Sequence, residues 1–486
     1  MSETAVWRSA GRPSLGAGLI GGLSVMLAGA VVVGRGVQPV AALLIAVSAL
    51  VAWHGVIVRW EVLLGLVLAI TLFVPIGRYT LPIDLPIDLE FFRIGVALVL
   101  TAWAISLVLD PELRVRRSPL DRPVALIVFA TLGSVIVNFG RVLPLESAVL
   151  KDVTFFLSFV VFFYFVVSVL TSRAAVIGVA QFLVAGVAAV AFFAIVESRT
   201  HFNVFDHVRS VFPFLQFDPL PPDFRYGVLR AVGSSEHPIA LGVLFAMVLP
   251  LAFGLAKSLS RVWWAPTLVI ALGLLATVSR TPILVMVAAG CTLLWLRPRD
   301  VVRLLPLMIP MIIVIKIAVP GSLATVKASF FPEGGLIAQQ TTLADDPTLI
   351  SGRANLVPRL HEGMRTPLLG QGMGTRQTGL DNPLRNAPIL DNQWLGLFLE
   401  IGLLGIIGWV WLVGRSVRVL GRIAQSRASP DGWLAAGLAA GITGFAVGMA
   451  TYDSLAFVQE AFVFWTLVAL SAALVNAVER DVPTAA

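Results

Sequence analysis

Apolar runs of about 20 residues, nearly free of charge, recur along this chain from end to end. Each is long enough for a helix to cross the roughly 30 Å of hydrocarbon in a bilayer. Inside lipid every backbone N–H and C=O must pair internally, so only helices and closed barrels can span it. The short alternating segments of a barrel are absent. With 58% of its 486 residues hydrophobic and 13% charged, the chain falls outside the balance of a soluble domain. The expected fold is therefore all-α, a polytopic membrane helical bundle forming a single integral membrane domain over 1–486.

Spans are expected near 14–34, 37–58, 61–76, 93–109, 123–140, 148–170 and 174–197. Further spans follow near 237–256, 262–280, 282–296, 303–320, 390–413, 433–451 and 456–478, about fourteen transmembrane helices in all. Lys and Arg in short loops favour the cytoplasm. Arg114, Arg116, Arg117 and Arg122 mark one such loop, Arg297, Arg299 and Arg303 a second, and Arg415, Arg418, Arg422 and Arg427 a third. All three fall on one side with this set of spans, which puts both termini in the cytoplasm. The same bookkeeping puts 77–92, 198–236, the Arg280 turn and a long loop, 321–389, on the outer face. Arg8 and Arg12 are expected to precede an uncleaved first span rather than to belong to a signal peptide.

The net charge of +7 is concentrated in cytoplasmic loops, where anionic membrane lipids are the natural partner, so nucleic acid is not expected. Cys291 is the only cysteine, which rules out an internal disulfide and argues against a cysteine metal site. No metal-ligand cluster appears in the outer loops, and no cofactor is expected.

The polar residues worth testing lie on the outer side. The 321–389 loop, too long for a simple connector, carries Arg353, Arg359, His361, Arg365, Arg376 and Arg385 among chain-breaking Pro367, Gly370, Gly372 and Gly374. Arg353–Arg365 reads as a short helix. An arginine's planar fork suits phosphate, so a converging set can hold a diphosphate; solvated loop charge and lipid head-group contact are the competing readings. Arg280 interrupts an apolar run before Pro282, which predicts a tight Ser279-Arg280-Thr281 turn facing a polar cavity or snorkelling to the interface. Arg230 and Gly233 to Pro238 open a helix whose free amides suit an anion, with His237 either in the site or an ordinary cap. Asp84, Asp88 and Glu90 are placed to touch sugar hydroxyls or water. Asp391 stands where an N-cap belongs; in the helix after it, Gly396, Gly402 and Gly405 suit close helix approach, and Glu400 reads as a buried structural partner.

Asn392, nine residues, then Gly402-Leu403-Leu404-Gly405, and Arg359, ten residues, then Gly370, resemble the motifs of the bacterial O-antigen ligase and Wzy-type O-antigen polymerase superfamily. Arg230 to Pro238, the Ser279-Arg280 turn, and Ser351-Gly352-Arg353 leading to Pro367–Gly372 resemble further segments of it. The resemblance covers roughly 225–470 and departs at Asp391, which stands where ligases carry a histidine implicated as the base. It implies a GT-C-type glycosyltransferase of the bacterial cytoplasmic membrane, active at the outer face. The donor it implies is a glycan on polyprenyl (undecaprenyl) diphosphate, and the acceptor a sugar hydroxyl on a glycan or lipid. Transfer would be metal-independent and inverting, and other polysaccharide assembly proteins would be partners. It places Asp391, Arg280 and Arg353 in catalysis and Arg359, Arg365, Arg376, Arg230, His237 and Asn392 in substrate binding. Asp391 leans the expectation towards polymerase over ligase. A flippase of lipid-linked glycan and a non-catalytic partner in polysaccharide export are the alternatives.

Overall fold

The computed structural model describes residues 59–80, 90–110, 113–210, 212–213, 215–225, 227–303, 356–375, 390–426 and 431–481. The spans expected at 14–34 and 37–58, almost all of the one at 303–320, and Asp84, Asp88, Arg353, Arg376 and Arg385 lie outside them. The chain divides into two compact units, Met1–Leu66 and Val67–Ala486.

Twelve helices of eight residues or more lie among the described residues. They are α1 (Trp60–Phe73), α2 (Phe91–Leu109), α3 (Asp121–Val137), α4 (Glu146–Val169), α5 (Arg173–Thr200) and α6 (Pro238–Ser258). After them come α7 (Trp264–Ala276), α8 (Arg280–Leu296), α9 (Leu356–Gly363), α10 (Gln393–Gln425), α11 (Gly432–Gly448) and α12 (Val458–Asp481). Among the described residues six helices are long and apolar enough to cross a membrane, and four shorter ones are apolar. Strands are minimal: β1 (Tyr79–Thr80) pairs antiparallel with β2 (Gln216–Phe217), and β3 (Phe224–Arg225) with β4 (Val228–Leu229). This is a helical, multi-pass membrane protein.

The most apolar stretches of α6 and α12 are 83% and 89% buried, against 28% for α2, so α6 and α12 form the interior and α2 the periphery. α11 packs against α6, α8, α10 and α12. Its contact with α6 is close because small residues line it: a Cβ on Gly437 would lie 2.5 Å from the Pro250 carbonyl oxygen. Leu98, Ile105, Val108, Phe129, Ile136 and Val410 stay exposed on the outer surface, where lipid rather than water is their natural solvent.

Polar residues sort to the two ends of the bundle. At one end the Arg415 guanidinium bonds the Pro119 carbonyl, Asn476 donates to Arg117 O at 2.9 Å, and Arg297 lies 5.3 Å from the Trp433 ring. Arg173 pairs with Asp431 at 2.6 Å there too. The three arginine-rich segments used for orientation thus share one end. α10 extends well past the expected 390–413, so Arg415, Arg418 and Arg422 ride on a helix rather than in a loop. Uncompensated backbone groups cost more in an irregular chain near lipid than these arginines cost at a helix terminus.

Candidate active site

The other end holds Arg230, His237, Arg280, Asp391 and Asn392 among the described residues. Arg230 is 4% exposed. Its guanidinium donates to Asp223, to Ser279 Oγ at 2.8 Å and to Thr277 O at 3.4 Å, while Ala231 N donates to Ala276 O at 3.1 Å. The Arg230 segment and the Ser279-Arg280-Thr281 turn are therefore one unit. Val278 enters that turn with φ of 49°, a left-handed conformation a β-branched residue rarely adopts. Arg280 is the first residue of α8 and half-buried.

Thr451 donates to Thr281 Oγ1 at 3.1 Å, tying this turn to the α11–α12 connection. That connection in turn holds the start of α10. Leu390 N donates to Asp453 Oδ2 at 3.1 Å, and Gln393 N to Met449 O at 2.8 Å and Tyr452 O at 3.2 Å. Gln393 Oε1 accepts from Leu455 N at 3.0 Å. Asp391 lies between two anchored residues, so its backbone is fixed although its side chain is half-exposed. The cap is Asn392, whose Oδ1 accepts from Leu395 N at 3.1 Å, not Asp391, whose φ of 49° keeps it outside the helix. Both residue types cap well; the left-handed backbone decides between them.

His237 caps α6: its Nδ1 accepts from Ile239 N at 3.1 Å, with Pro238 at the first helical position, and its ring lies 5.8 Å from Phe457. Burial and the neighbouring Arg230 charge push the imidazole down to about 4, so it stays neutral and keeps the lone pair the cap needs. The adjacent Glu236 is pushed up to about 7 by burial and by the Glu90 carboxylate. Glu90 is buried, accepts from Gly77 N at 2.9 Å and pairs with Arg93 at 3.6 Å. It faces backbone, a cation and the Glu236 carboxyl, a structural setting.

Arg359 and Arg365 occupy a different limb. Arg359 pairs with Glu362 at 2.7 Å within α9, and Arg365 is exposed just beyond that helix. From there the chain runs through Pro367–Gly374 into a break in α10. Gly402 has φ of 66° and ψ of −166°, which interrupts the helical ladder. The interruption strands the carbonyls of Leu399 and Glu400 and the amides of Leu403 and Leu404, and the incoming segment takes up all four. Gln371 N donates to Leu399 O at 2.8 Å, Gly372 N to Glu400 O at 3.1 Å, Leu403 N to Pro367 O at 2.7 Å and Leu404 N to Leu368 O at 3.1 Å. Ser134 and Asn138 of the α3 end hold the other side, Asn138 Nδ2 reaching Gly370 O at 3.0 Å. Gly402 was expected to permit helix–helix approach; it permits a helix break instead. Glu400 is buried, as expected of a structural partner.

Arg280, Arg230, His237, Asp391 and Asn392 thus lie on segments bonded to one another, while Arg359 on α9 and Arg365 just after it are not joined to them by any of these bonds. Sequence reasoning passed over Arg78, Glu197 and Gln459, which bond the Arg230–His237 segment, and Asp206, which pairs with Arg78. The signal available was the one used for Arg280, a charge abutting an apolar span, and it applies equally to Arg78 and Glu197.

These features define a multi-pass membrane protein with a polar, arginine-bearing site at one end of a helical bundle. Residues 265–410 match the family model for O-antigen ligase (Wzy_C), which bears out the resemblance to the O-antigen ligase and Wzy-type superfamily. The matched stretch includes Arg280, Arg359, Gly370, Asp391, Asn392, Gly402 and Gly405, whereas Arg230 and His237 precede it. No curated protein matches the chain.

Proposed function

We propose that the protein is a membrane glycosyltransferase of the bacterial cytoplasmic membrane that polymerises or ligates polysaccharide. It moves a glycan from a polyprenyl-diphosphate carrier to a sugar hydroxyl on a glycan or lipid acceptor, with its site at the outer face and both termini cytoplasmic. The observation that carries this reading is the bonded sequence of segments from Arg230 through Ser279 and Thr281 to Thr451, Tyr452 and Gln393, which gathers Arg280 and Asp391 in one neighbourhood.

In this reading Arg280 and Arg353 stabilise charge as the glycosyl–oxygen bond to diphosphate breaks, a task guanidinium groups perform without a metal. Arg359, Arg365 and Arg376 contact the carrier or glycan, and Asn392 offers its amide NH2 while its oxygen caps α10. Arg230 and His237 hold the anion-facing turn. Asp391 accepts the proton of the attacking hydroxyl, the new bond forms opposite the leaving diphosphate, and the anomeric centre inverts.

The test uses purified protein, lipid-linked glycan and a glycan acceptor, with polyprenyl diphosphate release followed for wild type, Arg280→Ala, Arg353→Ala and Asp391→Ala. Each variant is expected to lose at least about 100-fold in rate. Wild-type rates in all three would sink the site. One feature favours a second reading: a membrane helix broken at Gly402 also occurs in transporters. Movement of lipid-linked glycan across vesicles by wild type, with no glycan extension, decides for a flippase.

A further inference from the structure

The Arg230–His237 segment belongs to no helix over most of its length, so other groups must hold its backbone polar atoms. Apart from the Ala276 carbonyl that takes the Ala231 amide, the groups that do so come from parts of the chain outside the family match. Arg78 reaches the segment with a side chain only 1% exposed. Its Nη2 donates to Gly233 O at 2.5 Å and Ser235 O at 2.7 Å, and its Nη1 to Asp206 Oδ1 at 2.6 Å. From α5, Glu197 takes the Val232 and Gly233 amides at 3.2 and 2.8 Å. Gln459 of α12 donates to Ser234 Oγ at 2.9 Å and to Thr71 O at 3.0 Å. Asn203 Nδ2 adds a second donor to Gly233 O at 3.0 Å.

The turn is thus held on its carbonyls by a cation and on its amides by a carboxylate. Gly233 has φ of 55°, and Ser235 N closes on Val232 O at 3.0 Å, a geometry that presents the two gripped carbonyls to one guanidinium. Arg78 is itself fixed: its carbonyl accepts from Asp218 N at 3.0 Å, and the following Tyr79 starts β1 and bonds Phe205 O at 3.0 Å. A buried cation held at three oxygens is costly merely to support a surface loop.

We infer that Arg78 is a positioning residue for the site: by gripping the Gly233–Ser235 turn it sets where Arg230 lies, and through the Arg230–Ser279 bond it sets the Ser279–Arg280 turn. Glu197 opposes it from the amide side. Arg78 touches no reacting atom in this scheme. The inference rests on the proposed role of Arg230 and Arg280 at the site.

The experiment uses the full chain in lipid nanodiscs, comparing wild type, Arg78→Lys and Asp206→Asn, each alone and combined with Arg230→Lys. Asp206→Asn loosens Arg78 without emptying its position, should Arg78→Lys fold poorly. Polyprenyl diphosphate release is measured together with hydrogen exchange of peptides spanning 228–237 and 274–282. Arg78→Lys is expected to lower kcat about tenfold with the donor KM little changed, but to have less than about a twofold effect once Arg230 is already Lys. Exchange should quicken in both peptides and stay unchanged in α10 and α11. Multiplicative effects of the two substitutions, or unchanged exchange in 274–282, overturn the inference. If wild type releases no polyprenyl diphosphate, it is the glycosyl-transfer reading that fails, and the exchange result alone decides the role of Arg78.

Discussion

Gly370 and Gly402 meet backbone to backbone. A Cβ on Gly402 would stand 2.5 Å from the Gly370 amide nitrogen, and one on Gly370 would stand 2.6 Å from the Leu399 carbonyl oxygen. These are the closing glycine of the Arg359 motif and the first glycine of the Asn392 motif, so two patterns that look independent in the sequence describe one contact. Its purpose is to let Pro367–Gly372 complete the hydrogen bonding of a helix broken within the bundle, where water does not compete for the stranded groups.

Gly402→Ala should therefore destabilise the protein severely. Its φ and ψ fall in a region essentially confined to glycine, which alone costs about 1–3 kcal/mol for another residue, and the added methyl strikes backbone that cannot turn aside. Gly405→Ala is the comparison: its backbone is not left-handed, and its methyl meets the Ile401 side chain rather than backbone. Thermal unfolding in detergent should show a large loss for the first and a smaller one for the second. Equal, small losses would show that the break is not needed.

Asn392→Ala should cost about 1 kcal/mol by uncapping α10, and Asn392→Asp should recover most of it. Measuring turnover on the same variants separates the cap from the amide. If Asn392→Asp restores stability but not activity, the NH2 end serves the substrate. Full recovery of both assigns the residue to the cap alone.

The membrane spans were legible because length and apolarity suffice to identify them, and α4, α5, α6 and α12 fall close to where these criteria put them. The helix break was not. Gly402 sits in an apolar run whose local pattern suits an unbroken helix, and its partners come from a separate segment that no local periodicity can connect to it. The sequence flagged both Arg230 and the Ser279–Arg280 turn on chemical grounds; their bond is a long-range contact and only the fold supplies it. Arg78 was missed for a related reason, since a single charge after a span reads as an interfacial anchor until its three oxygen partners are known.

Glu236 and His237 are neighbours that should tilt stability with pH in opposite directions. A carboxyl raised from its usual 4.5 to about 7 holds its proton more tightly in the folded state, so its contribution is full below about 4.5 and is lost as pH rises towards 7. An imidazole lowered from 6.5 to about 4 does the reverse: its contribution is full above 6.5 and is lost as pH falls towards 4. Glu236→Gln should remove the first slope and His237→Asn the second, read as unfolding midpoints between pH 4 and 8. The two variants shifting the profile the same way would contradict these environments.

The gathering of arginine-rich segments at one end and the candidate site at the other predicts the orientation of the whole bundle. Lys and Arg favour the cytoplasmic side, so Arg117 should face the cytoplasm and Arg209, in the connection that packs behind the site, the outside. Cys291 is free and exposed, and must first be replaced by serine. On that background Arg209→Cys should react with a membrane-impermeant maleimide in intact cells, and Arg117→Cys only after permeabilisation. The opposite pattern would place the site in the cytoplasm, where a carrier-linked glycan already moved to the outer leaflet could not reach it.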